Sequence, residues 1–170
     1  MSKKYILNRL KWYYPLEKFN AFLFLGVLCY VIYKYGFLNT LFLNYGLTIM
    51  VLILFQGQHY WKLKLYRLTQ KEFNQNYNIY LFKRFKKTNI VLIWFIPVVL
   101  LIQLFLFDWT MKPENLFVWA IIANIFGILE HINYYHRQLM IDNIYDIKYL
   151  IRNKKLKIAS LKKDLDENEI

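Results

Sequence analysis

One cysteine, three prolines and five glycines are few for 170 residues, and each shortage excludes something. A lone Cys29 cannot form an intrachain disulfide, so no disulfide framework holds the fold and no redox compartment follows. Scarce glycine and proline leave few of the turns a many-stranded sheet needs and let helices run long. Acidic residues are short as well, 11 against 23 Lys and Arg, for a net charge of +12. Catalytic signatures are missing: there is no GxSxG, no HExxH or HxxxH spacing and no phosphatase-like His/Arg set. Three histidines are too few for a diiron membrane oxygenase. No cleavable signal is read at the N-terminus, because the first apolar run starts only near Phe19 and no small-residue cleavage site follows it.

What is present is apolar. Hydrophobic residues make up 58% of the chain and aromatics 20%, against a usual apolar share of about 45–50%. They are gathered into four long blocks. The organising one is Leu116 to Arg137, an apolar run of about one bilayer's thickness that ends in Glu130, His131, Asn133, His136 and Arg137. The fold expected is all-α, an integral membrane protein with four transmembrane helices.

Residues 1–18 read as an amphipathic interfacial helix rich in basic and aromatic residues, ended by Pro15. Residues 19–137 read as the four-span bundle, with spans near 19–37, 41–56, 90–107 and 116–137. Pro97 should kink the third. Between spans two and three, residues 57–88 form a basic hairpin that extends both helices to a turn at Asn74, Gln75 and Asn76, standing about 20 Å out of the membrane. Its seam is expected to pair Leu65 and Leu68 with Leu81 and Phe85. Residues 138–170 continue span four as a long helical extension, interrupted at Asn153, Lys154 and Lys155, with a frayed acidic end.

Topology follows from charge. The N-terminal arm, the hairpin and the tail, with Arg137 at the end of span four, hold every Lys and Arg except Lys34 and Lys112. Positive charge stays inside, so both termini and the hairpin are expected in the cytoplasm of a bacterial inner membrane. The same cations, Lys62, Lys64, Arg67, Lys83, Arg84, Lys86 and Lys87 of the hairpin above all, suit anionic headgroups or another anionic ligand. Nucleotides or nucleic acid could use that charge with aromatic stacking, but a headgroup-facing surface has the same composition.

Gln56, His59, Glu130, His131, Asn133, His136 and Arg137 form a polar cluster at one depth, the cytoplasmic ends of their spans. Ionisable groups there mark a functional site by default. If the protein is an enzyme, Glu130 with His59 or His136 would do acid–base work on a lipid substrate. The competing reading is structural, with Glu130 paired to Arg137 or to a hairpin cation. On a straight helix His131 lies across from the Glu130 stripe, so no metal site and no cofactor is implied. Asn20, Asn44, Thr48, Gln103 and Asn124, the other polar residues within spans, are explained by interhelical hydrogen bonds.

The run EHINYYHRQLM, with DNIYDIKYLI and ASLKKDL after it, resembles stretches of small uncharacterised bacterial four-helix membrane proteins of no known activity. The resemblance covers the last third of the chain and implies no mechanism. The sequence therefore points to a non-enzymatic membrane assembly component, whether sensor, scaffold or pore-forming effector. Its basic helices would bind a cytosolic partner protein or an anionic ligand. A homo-oligomer is expected, because four short spans have little room to bury every polar face.

Overall fold

The computed structural model describes residues 3–110, 112–141 and 143–170. Residues 1 and 2 of the expected interfacial helix and residue 111 of the expected third loop lie outside them. Six α-helices appear among the described residues: α1 (Lys3–Tyr35), α2 (Leu41–Leu68), α3 (Gln75–Leu106), α4 (Phe117–Tyr135), α5 (Ile144–Asn153) and α6 (Ser160–Glu167). The first four contain segments long and apolar enough to cross a membrane. They alternate in direction, so the start of α1, the α2–α3 turn and the end of α4 share one end, which carries most of the positive charge.

Helix α2 is the centre. It packs against α1, α3 and α4, and two-thirds of its most apolar stretch (67%) is buried, against 11% for α3. The outer helices turn large apolar side chains outward: Phe22 on α1, Trp94 and Phe105 on α3, Val118 and Trp119 on α4 are each more than half exposed. A belt of this size on a chain surrounded by water would be a liability.

The α2–α4 seam is tight because its contact residues are small. A Cβ added to Gly46 would lie 2.7 Å from the backbone nitrogen of Asn124, and one on Gly127 would lie 2.9 Å from Ile49. Ala120 and Ala123 are buried beside them. Small residues let helix backbones approach where apolar burial alone gives little preference. The approach delivers the Asn124 amide to the Phe42 carbonyl at 2.9 Å.

The opposite end is tied by amides. Thr40 makes no side-chain cap at the start of α2. Instead Gln103 of α3 accepts from the Phe42 N–H at 3.1 Å and donates to the Asn39 carbonyl at 3.0 Å. Asn115 donates to that same carbonyl at 2.8 Å. Asn44 and Thr48 bond locally, to the Thr40 hydroxyl and the Asn44 carbonyl. Gln103 and the Asn124 amide nitrogen thus have partners inside one chain.

Several expectations are corrected. Pro15 does not end a helix: α1 is continuous from Lys3 to Tyr35. A proline removes one ladder bond, and the turns around it are anchored by buried Leu10, Glu17 and Ala21. Helix α3, Gln75–Leu106, holds Pro97 within it, as expected of the third span. The α2–α3 seam is carried by Tyr60, Leu63, Ile79 and Phe82 rather than by Leu65, Leu68 and Leu81, with Phe85 at its margin.

The long helical extension of span four is not formed. The Asn133 side chain accepts from the N–H groups of Leu139 (2.8 Å) and Met140 (3.3 Å), which a continuing helix would give to Tyr135 and His136. Such local side-chain bonds compete with helix. The chain turns back, Arg137 and Ile158 form an antiparallel bridge, and α5 and α6 follow as separate short helices. The interruption at Asn153 to Lys155 falls where α5 ends, with Lys154 left-handed at φ 51°. The acidic end is docked: Leu161 and Ile170 are each 1% exposed.

The seam makes a prediction. Gly46→Ala should overpack it at a cost of about 1–3 kcal/mol, seen as earlier thermal unfolding in detergent. Gly26→Ala, whose added Cβ meets nothing within 4 Å, should melt no earlier than the parent. Equal melting of all three proteins would mean that α2 and α4 are not in close contact.

Candidate functional site

The polar cluster expected at one depth is divided among four places. Gln56, Asn89 and Tyr135 form the first. The two amides bond reciprocally, Gln56 Nε2 to Asn89 Oδ1 at 3.0 Å and Asn89 Nδ2 to Gln56 Oε1 at 2.7 Å. The Tyr135 hydroxyl donates to the same Gln56 oxygen at 2.8 Å. All three side chains are buried, and they join α2, α3 and α4.

His59 is in the second place, with its Nε2 2.8 Å from Asn78 Oδ1 and its ring beside Phe82. In the third, Glu130 lies near Glu17 of α1 and beside Asn133, while the Tyr134 hydroxyl donates to Glu17 Oε1 at 2.7 Å. In the fourth, the His131 ring stacks on Tyr135 and meets His136 edge-on, with centroids 5.1 and 5.3 Å apart. Both His131 nitrogens are buried without a hydrogen-bond partner. His136 caps the C-terminus of α4 and is held in its neutral form below the usual histidine range, by partial burial first and then by Lys86 and Lys162.

Glu130, His59 and His136 therefore do not assemble as one acid–base set. Arg137 does not pair with Glu130; its guanidinium points to the Leu156 carbonyl at 3.4 Å. Among the described residues, no three His, Cys, Asp or Glu side chains converge to hold a metal ion.

The basic hairpin is occupied by the chain's own tail. Lys64 Nζ is 2.7 Å from Asp164 Oδ2, the oxygen to which the Tyr60 hydroxyl also donates at 2.7 Å. Arg67 pairs with Glu169, and Lys83 donates to Asn168 Oδ1 at 2.8 Å. Gln75 donates to the Asn168 carbonyl at 3.1 Å. Beneath these bonds Leu161, Leu165 and Ile170 join Tyr60, Leu63 and Phe82 in one core. Lys62 and Arg84 lie over the rings of Tyr66 and Tyr80, and Lys87 is exposed.

Beside this docked helix, α1, α2 and the tail enclose a cavity of about 650 Å³. Arg9, Lys64, Arg67 and Lys157 line it with the carboxylates of Glu17 and Asp146. Lys157 also pairs with Asp146 at 2.5 Å. Of these residues, sequence reasoning singled out only Lys64 and Arg67. Glu17, a lone acid just before an apolar run, and Asn89, one turn past the Lys86–Lys87 pair, carried the available signal. Asp146, Lys157 and Asp164 carried none, because the tail's reversal brings them in.

The class defined by this geometry is an all-helical protein with four membrane-length apolar helices and a charged end closed by its own C-terminus. Comparison with protein-family models, with curated proteins and with solved structures finds no match to the chain.

The buried amide triangle is testable by substitution. Asn89→Leu leaves Gln56 without its partner and should cost about 1–3 kcal/mol in unfolding free energy. Adding Gln56→Leu and Tyr135→Phe removes the orphaned groups and should restore part of that loss. A triple variant less stable than the single one would show that the triangle contributes net stability beyond mutual satisfaction.

Proposed function

We propose that this chain is a non-catalytic, four-span membrane protein of a bacterial inner membrane, with both termini and the basic hairpin in the cytoplasm. It acts there as a scaffold or sensor, receiving an acidic, amphipathic helix from a partner protein. Support for the membrane comes from the outward apolar belt and the one-sided charge. At 28 and 32 residues, α2 and α3 are about 42 and 48 Å long at ~1.5 Å per residue, more than the ~30 Å apolar core of a bilayer. Their basic ends reach beyond it.

The observation that carries the reading is the docking of α6. An acidic segment with leucines on its inner face is held by Lys64, Arg67 and Lys83 over an apolar floor. The hairpin thus has the chemistry of a helix-in-groove receptor, and α6 is its resident occupant. A partner helix of like pattern would compete with α6, and the release of α6 would be the signal.

The test uses protein ending at Ile158 and a synthetic peptide of residues 159–170. The truncated protein should bind the peptide saturably and more weakly at high salt, while the full chain should not bind it. An Asp164→Asn peptide should bind about tenfold or more weakly, since a hydrogen bond to a charged group contributes roughly 1.5–3 kcal/mol. A full-length Asp164→Asn, Glu169→Gln double variant should gain peptide binding without any truncation. Equal binding by the unaltered full chain, or none by either altered protein, would contradict the reading.

A further inference from the structure

The cavity lined by α1, α2, the end of α4 and the tail lies beside the docked α6 and shares Lys64 and Arg67 with the hairpin. Its volume, about 650 Å³, falls within the range of small-molecule sites. Four cations reach it from three separate parts of the chain: Arg9 from α1, Lys64 and Arg67 from α2, Lys157 from the tail. Glu17 and Asp146 line it as well, and Asp164 on Lys64 and Glu169 on Arg67 add carboxylates of the chain to the same cations. Beside the cations stands an aromatic wall, with the Tyr13 and Trp61 rings 5.9 Å apart and the Arg9 guanidinium 5.0 Å over Tyr13. The Trp61 Nε1–H is itself buried near Tyr134, so Trp61 offers the cavity its ring.

We propose that this cavity binds a phosphate ester with an apolar body, the phosphate on the cations and the body along Trp61 and Tyr13. Phosphate suits the site because its several oxygens accept from Arg and Lys at once. A single carboxylate could not span cations from three segments. In this structure the tail supplies the counter-charge, through Asp164 on Lys64, Glu169 on Arg67 and Asp146 on Lys157. The Arg67–Glu169 pair is about half exposed, and pairs so exposed contribute little, so it yields first. Ligand binding therefore loosens the end of the tail, which rests on the reading of α6 as the resident occupant. Two sources share this chemistry: an anionic phospholipid at the membrane surface and a soluble organophosphate.

The experiment is a native mass-spectrometric titration of the full chain in maltoside detergent. Its probes are dihexanoyl-phosphatidylglycerol, phenyl phosphate and uncharged dihexanoylglycerol. Saturable one-to-one binding of a phosphate ester is expected, with dihexanoylglycerol at least tenfold weaker. Tighter binding of the phospholipid assigns the source to the membrane; equal or tighter binding of phenyl phosphate, a soluble ester with an apolar body, assigns it to the soluble pool. Arg9→Gln with Lys157→Gln should weaken binding tenfold or more. Leu68→Trp should do the same, because it narrows the cavity and keeps every charge. The proposal is overturned if neither phosphate saturates, if the uncharged lipid binds equally well, or if Leu68→Trp binds as the parent does. None of these readouts depends on whether a partner helix displaces α6, so the two proposals fail separately.

Discussion

The rest of the structure depends on α2 satisfying its polar groups inside the chain. A helix enclosed by three others has little water to fall back on for an unpaired amide. Gln56 therefore meets Asn89 and Tyr135, and the Phe42 N–H and C=O meet Gln103 and Asn124. Each of these bonds joins α2 to α3 or α4, so polar satisfaction and helix order are one requirement. The Gly46 contact is the steric side of it: Asn124 reaches the Phe42 carbonyl because the two backbones can approach.

At the charged end the governing term changes from hydrogen bonding in an apolar setting to neutralisation of excess positive charge. The chain is +12 overall, yet its acids are not spread to balance that. Asp164 and Glu169 sit on the hairpin cations and Asp146 on Lys157. Apolar burial of Leu161, Leu165 and Ile170 fixes where the acids land. A contact built this way is selective in its floor and salt-sensitive in its rim. In the proposed function, that is the combination a competing helix would open.

The four apolar helices and the basic hairpin were legible because long apolar runs and one-sided charge are local properties of sequence. The turn at Asn74 was equally plain, with its side chain accepting from the Tyr77 N–H. The site was not. Glu130 and His136 fall near one depth of a continuous helix, but Glu130 faces α1 while His136 sits where the helix has already ended. That ending depends on Asn133 choosing the Leu139 and Met140 amides over solvent, a competition periodicity does not register. The tail was read as frayed because its charge was weighed alone. Its complement, Lys64 and Arg67, lies about a hundred residues away.

The proposed topology is a chain crossing a membrane four times, with α2 enclosed and the basic end in the cytoplasm. Single cysteines in a Cys29→Ser background, labelled in intact cells with a membrane-impermeant maleimide, test it. Labelling is expected at Thr110, in the turn after α3, and none at Asn76 or Asn168 until the membrane is opened. No labelling is expected at Ile53, fully buried on α2, in either condition. Labelling of Asn76 in intact cells, or of Ile53 in native protein, would contradict it.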